Sequence, residues 1–323
     1  MRGTPARLPV RSLPMTVIVR DLRPEVPGDT EGFARVRRLA LPYILFTSDS
    51  VRHNALHTHP DARYRPLVAE EDGEVIGTAQ VLLAYDSDDP DQGLLNVYVR
   101  PDRAGRGAGG LLLRTAEEHL ASIGATKVYS WVLDEPGNRA FAERHGYRAG
   151  RSAHFLRLDL AGTALPPLPP TPPGVELRTA AEFADDPRPL FELDAETLLD
   201  EPGEISYESR GYEDWLTGTW RHPLLDRELT MAACVDGRPV AFSMAYTDGD
   251  GRCSSAMTGT ARAHRGRGLA KLAKLHTLHR ARAAGVTEAF TGNDAGNDPM
   301  IAINEWLGYR VRATEVHYVR ELF

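Results

Sequence analysis

The stretch Thr258-Gly-Thr-Ala-Arg-Ala-His-Arg265-Gly266-Arg267-Gly268-Leu269-Ala270 carries a short apolar strand into a turn of small residues and on into a helix. A backbone turning through Gly266 and Gly268 can approach a ligand closely and aim its amides at one oxyanion, because glycine adds no side-chain bulk. The helix behind the turn adds roughly half a positive charge at its N-terminus. A diphosphate is the natural guest. The loop G-x-x-x-x-G-K-[ST] is excluded, since Leu269, Ala270 and Lys271 follow Gly268 outside that framework, and the dinucleotide pattern G-x-G-x-x-G fails at Lys271.

The same pattern occurs earlier, in Val99-Arg-Pro-Asp-Arg-Ala104-Gly105-Arg106-Gly107-Ala108-Gly109. Gly105, Gly107 and Gly109 precede Gly266, Gly268 and Ala270 by 161 positions, and Gly124 precedes Gly285 by the same 161. Gly146-Tyr147 precedes Gly308-Tyr309 by 162, and His154-Phe-Leu-Arg precedes His317-Tyr-Val-Arg by 163. The turn dipeptides Asp72-Gly73 and Asp236-Gly237, each between apolar runs, are 164 apart. An offset this constant makes the chain two copies of one domain. Six prolines (166, 167, 169, 170, 172 and 173) lie between the copies, a composition that favours extended structure and denies donors to a sheet. The expected organisation is therefore a first domain over 15–160, a linker over 161–174 and a second domain over 175–323.

With 323 residues, 42% hydrophobic and 26% charged, each copy is long enough to bury a core. No apolar run reaches the roughly 18 residues needed to span a bilayer. Residues 1–14 are basic and proline-rich without an apolar segment, so they do not read as a secretory signal, and Met15 is an alternative start. Cys234 and Cys253 read as buried free thiols, and a cytoplasmic location is expected. His53, His57 and His59 include an i, i+4 pair, but no carboxylate or cysteine is organised with them, and no metal site is assigned. Lys plus Arg balance Asp plus Glu at 21 each in residues 1–160, against 17 and 24 in 161–323, so the net charge of −7 belongs to the second copy. Residues 161–215 hold 13 acids and three bases, which disfavours nucleic acid and draws cations.

Hydrophobic periodicity and turn residues predict, in the first copy, a strand over 16–19, a helix over 29–41, a second helix and loop over 43–65, and a hairpin of 65–69 with 75–85. A strand over 94–99, a helix over 107–122 stopped by Gly124, a strand over 127–133, a short helix over 139–145 and closing strands over 147–160 follow. The second copy repeats this: strand 175–178, helices 189–200 and 212–221, hairpin 228–235 with 239–246, strand 254–260, helix 268–284, strand 288–291, helix 300–307 and closing strands over 309–319.

The spacing Arg265-x-x-Gly268-x-Ala270 directly after an apolar strand resembles the acetyl-CoA signature R/Q-x-x-G-x-G/A of the GCN5-related N-acetyltransferase (GNAT) superfamily. Asn297 with Asn304-Glu-Trp-Leu-Gly308-Tyr309 resembles its second cofactor motif. The element order β-α-α-β-β-β-α-β-α-β of each copy is that of the GNAT fold, and the tandem arrangement resembles two-domain members of the mycothiol-synthase type. The resemblance implies an α/β fold (α+β in the GNAT sense): two tandem copies, each a mixed central sheet flanked by helices, joined by the proline-rich linker. It also implies transfer of an acyl group, most often acetyl, from coenzyme A to an amine.

In that family the pantetheine enters a gap between the fourth and fifth strands. Met257, Thr258 and Thr260 hold that position in the second copy, and Val97 and Val99 in the first. The backbone of Arg265, Gly266, Arg267, Gly268 and Ala270, and that of Ala104, Gly105, Arg106, Gly107 and Gly109, would hold the diphosphate, joined in the second copy by Asn297 and Asn304. A lysine-like acceptor has a pKa near 10.4, so at pH 7 freeing its base form costs about 4.6 kcal/mol, and a desolvated pocket or general base must make up the difference. The tyrosine that often protonates the leaving thiolate in this family is replaced by Ala142 in the first copy and Asn304 in the second. A family glutamate on the entering strand would fall near Gly93 or Ser254 and is also missing. Tyr309, Asn304 and Glu204 remain as catalytic candidates, and Asp200, Glu201, Glu208 and Tyr212 as groups to bind a cationic amine. Because the first copy has Ala104 where the second has Arg265, and its second motif is shorter, the second copy is expected to be the acetylating site. The expected partners are a small-molecule amine and acetyl-CoA, with no nucleic acid and no membrane, in a monomer that is an internal pseudo-dimer. A non-catalytic acyl-CoA sensor or scaffold, or a transferase using another acyl-CoA, is the alternative.

Overall fold

The computed structural model describes residues 16–87, 89, 91–200 and 211–322. The first copy folds as β1 (Ile18–Asp21), α1 (Pro27–Ala40), α2 (Ser48–His57), β2 (Leu67–Glu71), β3 (Glu74–Leu83), β4 (Gln92–Val99), α3 (Ala108–Ser122), β5 (Lys127–Leu133), α4 (Pro136–Arg144) and β6 (Arg148–Asp159). The second repeats it as β7 (Val175–Thr179), α5 (Arg188–Leu198), α6 (Tyr212–Trp215) running on as a π-helical turn (Leu216–Trp220), β8 (Met231–Val235), β9 (Arg238–Thr247), β10 (Arg252–Thr260), α7 (Leu269–Ala283), β11 (Glu288–Asp294), α8 (Asp298–Leu307) and β12 (Arg310–Glu321). Both hairpin turns place an Asp-Gly pair at positive φ (Asp72 and Gly73, Asp236 and Gly237), the conformation whose twist matches the flanking strands. The first strand lies two residues later than the periodicity predicts.

Among the described residues the twelve strands form one continuous sheet, β1-β2-β3-β4-β5-β12-β6-β11-β10-β9-β8-β7. This corrects the expectation that each copy closes its own sheet. β12, from the end of the second copy, pairs with β5 of the first; β6, from the end of the first, pairs with β11 of the second; and β6 and β12 pair with each other at the centre. The physical reason is that the closing strands have nearly the same pattern, so either can complete either sheet. Exchanging them adds the β6–β12 ladder without giving up the others.

One face of each half is covered by its long glycine-led helix. Leu112, Ala116 and Leu120 of α3 pack on Val81, Leu95 and Val128, and Leu275, Leu278 and Ala281 of α7 on Ala245, Ala289 and Tyr309. The opposite face carries α1 and α2 in the first half and α5 and α6 in the second. α5 presses so close that a Cβ added at Gly259 would lie 2.7 Å from Thr197 Cβ, so this strand position needs a glycine. The linker docks on the second half: Arg282 Nε donates to the Leu160 carbonyl at 2.8 Å, His279 Nε2 lies 2.8 Å from the Pro166 carbonyl, and Leu165 joins the core. No helix of the described residues is long and apolar enough to cross a membrane.

Candidate functional site

Each half opens its sheet at the same place. β4 runs parallel to β5 only over Gln92–Leu94, paired with Lys127–Tyr129, and β10 runs parallel to β11 only over Arg252–Ser254, paired with Glu288–Phe290. Beyond those three residues Leu95–Val99 and Ser255–Thr260 remain paired on their other edge, to β3 and β9, and leave one edge of backbone polar groups without a strand partner. In the first half a side chain bridges the gap, Asn96 Oδ1 accepting from the Trp131 amide at 3.0 Å. In the second half a register shift between Ser255 and Met257 bends β10 where it leaves β11.

A single 3-10 turn, Pro101–Arg103 in the first half and Arg262–His264 in the second, carries the freed strand into the glycine turn. Gly105 and Gly107 have φ of +78° and +94°, and Gly266 and Gly268 of +74° and +73°, so both turns follow the same left-handed path before α3 and α7. Residues 104–107 and 265–268 are solvent-facing or nearly so, Gly109 and Ala270 lie in the first helical turns, and those turns present amides that no helix satisfies internally. The geometry suits an oxyanion at each turn.

The side chains around the second turn have other partners. Arg265 Nε donates to the Thr260 carbonyl at 3.2 Å, and its guanidinium forms an ion pair with Asp200, which also pairs with Arg262 at 2.7 Å. These two arginines, Arg262 first, hold the Asp200 carboxyl down at about 2. Asp200, expected to meet the acceptor, thus neutralises an arginine of the glycine turn. Arg267 Nη1 lies 2.9 Å from His264 Nδ1; in the first turn, Arg106 stands 3.7 Å from Glu71. Asn297 caps α8, its side chain accepting from the Met300 amide at 3.4 Å. Thr258 Oγ1 lies 3.2 Å from Ser243 Oγ. Tyr212 lies under the Arg188 guanidinium, 4.0 Å from its ring centre, and edge-on to Phe191. Glu201, Glu204 and Glu208 lie outside the described residues.

The two openings differ in lining. In the first half a cavity of about 530 Å³ passes through the sheet. Leu113, Phe141 and Ala142 wall it on the α3–α4 side, and Tyr43, Tyr98 and Trp131 on the α1–α2 side; Val97, Val99 and Ala104 also line it. At the repeat offset, its lining residues Leu113, Ser130, Val132, Ala142 and Tyr147 become Lys274, Thr291, Asn293, Asn304 and Tyr309 in the second half. Those residues form a buried polar cluster. Asn304 Nδ2 donates to Asn293 Oδ1 at 2.5 Å while Asn304 Oδ1 has no partner among the described residues. The fully buried Tyr309 hydroxyl lies near Ser255 but makes no hydrogen bond of normal geometry among them. Lys274 Nζ, also fully buried, reaches among the described residues only Thr291 Oγ1, at 3.4 Å, and sits 5.3 Å from the Tyr309 ring centre. Burial pushes this ammonium down to about 7. It also pushes the thiols of Cys234 and Cys253 up, to about 11 and about 12, so neither is a nucleophile at neutral pH.

On the α5–α6 side of β10 lies a smaller cavity of about 170 Å³. It is lined by Phe191, Trp215, Tyr246 and Met257 and by Asp194, whose Oδ2 accepts from Trp215 Nε1 at 2.7 Å. Aromatic faces beside one carboxylate are chemistry suited to a cation. The sequence reading missed Asp194, one acid among 13, because only folding turns it inward. It also missed Lys274, whose place among leucines and alanines on α7 reads as a solvent-facing stripe. His53, in the middle of α2, has Nε2 3.0 Å from the Thr217 carbonyl, so the histidine group lies against the π-helical turn of the second half.

The profile of the "Acetyltransferase (GNAT) family" matches residues 33–147 and again residues 189–309. A protein named mycothiol acetyltransferase from Nocardia farcinica is 30% identical over 257 residues, 79% of this chain and 82% of that one. Its namesake from Nocardioides is 27% identical over 237 residues, 69% and 78% of the two chains. Among solved structures, a tandem GNAT protein from the clavulanic acid biosynthesis pathway superposes with a TM-score of 0.70 at 20% identity, covering 95% of this chain and 99% of that chain. A GCN5-related N-acetyltransferase from Sphaerobacter thermophilus gives 0.68 at 23%, with 96% and 97% covered. One pattern thus fits both halves of a sheet that opens twice at the same point, and the chain belongs to the acetyltransferase (GNAT) family as a tandem, two-fold member.

Proposed function

We propose that this acetyltransferase uses acetyl-CoA to acetylate the amine of a small cationic molecule, with the second half as an acetylating site. The observation that carries the reading is the junction of a strand freed after three paired residues with a turn holding two glycines at positive φ. The freed edge offers backbone partners to the pantetheine amides, and the turn offers N–H groups to the diphosphate. Hydrogen bonds to a charged group contribute about 1.5–3 kcal/mol each, so three or four amides supply much of the affinity. The acceptor enters from the α5–α6 side, its ammonium held by Asp194 and the rings of Trp215 and Tyr246, next to Met257 on the strand that would present the thioester.

The residues fit the coenzyme in a second way. Asn304 Oδ1 and the Tyr309 hydroxyl are buried polar atoms without hydrogen bonds among the described residues. Their repeat equivalents, Ala142 and Tyr147, line the first-half slot, which supports assigning Asn304 and Tyr309 to the end of the pantetheine arm. The amine nitrogen attacks the thioester carbonyl, the C–S bond breaks and the thiolate takes up a proton.

The test is calorimetric titration of acetyl-CoA, followed by thiol release with polyamines, aminoglycosides and amino acids. Gly268→Asp puts a β-carbon and a negative charge at a left-handed turn position facing the phosphates. Loss of most turnover in that variant is expected, and unchanged turnover overturns the assignment to the second half.

A further inference from the structure

The first half contains the wider slot, and at its edge the other copy supplies a carboxylate, Glu315, which is not itself in the lining but sits across the ladder from the lining residue Leu133. Glu315 lies on β12, directly across the ladder from Leu133 of β5 and from Ala153 of β6. Its neighbours Val316 and Tyr318 face α3 in the core, so Glu315 and His317 face the α1–α2 side, where His317 packs on the rings of Tyr129 and Trp131. That is the side from which Tyr43, Tyr98 and Trp131 enclose the cavity of about 530 Å³; Leu133, opposite Glu315, lines it as well. Glu315 is half-buried, and among the described residues no hydrogen bond or ion pair ends on its carboxylate.

We propose that this slot is a second acetyl-transfer centre, in which Glu315 receives a primary ammonium between the rings of Tyr98 and Trp131 and takes its proton. The inference rests on the acetyl-CoA reading above but assigns a separate site. A strand exchanged from the second copy supplies the base missing from the first copy's own entering strand. The steps balance: the ammonium gives one proton to the Glu315 carboxylate, the freed nitrogen forms the C–N bond to the thioester carbonyl, and the C–S bond breaks. The second nitrogen proton goes to the departing thiolate, and Glu315 returns its own to solvent.

Burial pushes the Glu315 carboxyl up to about 8, with Arg151 pulling the other way. A base in that range is matched to its task near neutral pH. The groups that bear on it come from several elements. Arg151 on β6 is turned to Asp294 of β11 in an ion pair, with its guanidinium over Trp131. Tyr98 on β4 feels the Glu315 charge and lies beneath Arg37 of α1, which donates to Thr78 Oγ1 at 3.0 Å and to the Asn96 carbonyl at 3.1 Å. His317 follows on β12 itself, and His154 of β6 bonds Thr314 at 3.0 Å.

The experiment uses the full chain carrying Gly268→Asp, which silences the second turn, with acetyl-CoA and spermidine as probes and thiol release as the readout from pH 6 to 10. Residual turnover is expected, abolished by adding Gly107→Asp, with kcat/KM rising through about pH 8. Adding Glu315→Gln should lower kcat/KM at pH 8 about a hundredfold or more and displace the rise towards the amine's own pKa, near 10. Calorimetric affinity of the first turn for acetyl-CoA should stay the same. Glu315→Asp, which keeps the charge one methylene shorter, should retain a limb near pH 8 at reduced rate, and this serves if the Gln variant does not fold. Acetyl-CoA bound at the first turn with no turnover in Gly268→Asp overturns the inference alone, as does a Gln variant with the parent's pH profile. Absence of acetyl-CoA binding in the unaltered protein removes the acetyl-CoA reading itself.

Discussion

Arg265 and Asp200 are joined across the mouth of the second glycine turn, so the one arginine that distinguishes this turn from the first is already neutralised before any ligand arrives. Because Arg262 and Arg265 hold the Asp200 carboxyl down at about 2, it is charged and able to pair at neutral pH. Asp200→Asn should release Arg265 to the diphosphate and tighten acetyl-CoA several-fold at that turn. Calorimetry in a Gly107→Asp background reports it, and the gain should shrink as salt is raised, since both groups are solvent-facing. An unchanged affinity would mean that Arg265 never meets the coenzyme.

Asp194 should act on the acceptor and not on the coenzyme. Asp194→Asn keeps an oxygen for Trp215 Nε1 but loses the charge. KM for a cationic amine should rise about tenfold or more, with acetyl-CoA affinity held. Steady-state kinetics with a cationic and a neutral acceptor of equal size distinguishes this from general damage, which would affect both.

Lys274 makes stability depend on pH with a particular sign. Its folded pKa is near 7 against an ordinary value of 10.5, so between those values the unfolded chain holds one more proton than the folded one. Stability from this group therefore rises with pH across that window. Lys274→Met should abolish the rise and be more stable at pH 7 by about 1–3 kcal/mol, since an apolar side chain replaces a buried charge without a carboxylate partner. Urea midpoints at pH 7, 8 and 9 provide the check. A variant that loses stability would show that the ammonium has a partner worth more than its desolvation.

The exchanged strands predict that the halves cannot be parted by cutting the chain between them. With a protease site inserted after Pro170, cleavage should leave a single species on size exclusion, because β6 and β12 remain interleaved in one sheet. Two separating fragments would contradict a single sheet with β6 and β12 interleaved.

What could be read from residues alone follows from how each feature is encoded. The glycine turns, the hairpin dipeptides and the helix after Gly268 are local: the left-handed conformations at Gly105, Gly107, Gly266 and Gly268 are needs that only glycine meets cheaply. Strand partnership is not local. His154-Phe-Leu-Arg and His317-Tyr-Val-Arg specify which side chains face inward and say nothing of which neighbour they join. Reading β6 and β12 as closing their own copies was therefore natural and incorrect. The same limit hid Glu315, which lies 217 positions from Tyr98 in sequence and becomes its neighbour only through the exchange. Buried Lys274 and Arg37 were missed for another reason: charge on a helix is read as solvent-facing unless tertiary packing says otherwise, and both are fully enclosed. Asn297 and Arg265, expected from the sequence to hold the coenzyme, are found as a helix cap and an ion-pair partner.

The interleaved ladder at the centre of the sheet also bears on inheritance. Once each copy came to borrow its last strand from the other, neither could be discarded, transplanted or shortened without opening its sibling's sheet. A substitution near the C-terminus, at Glu315 or Tyr318, will be felt first in the N-terminal lobe. The doubled gene is in that sense bound to stay double.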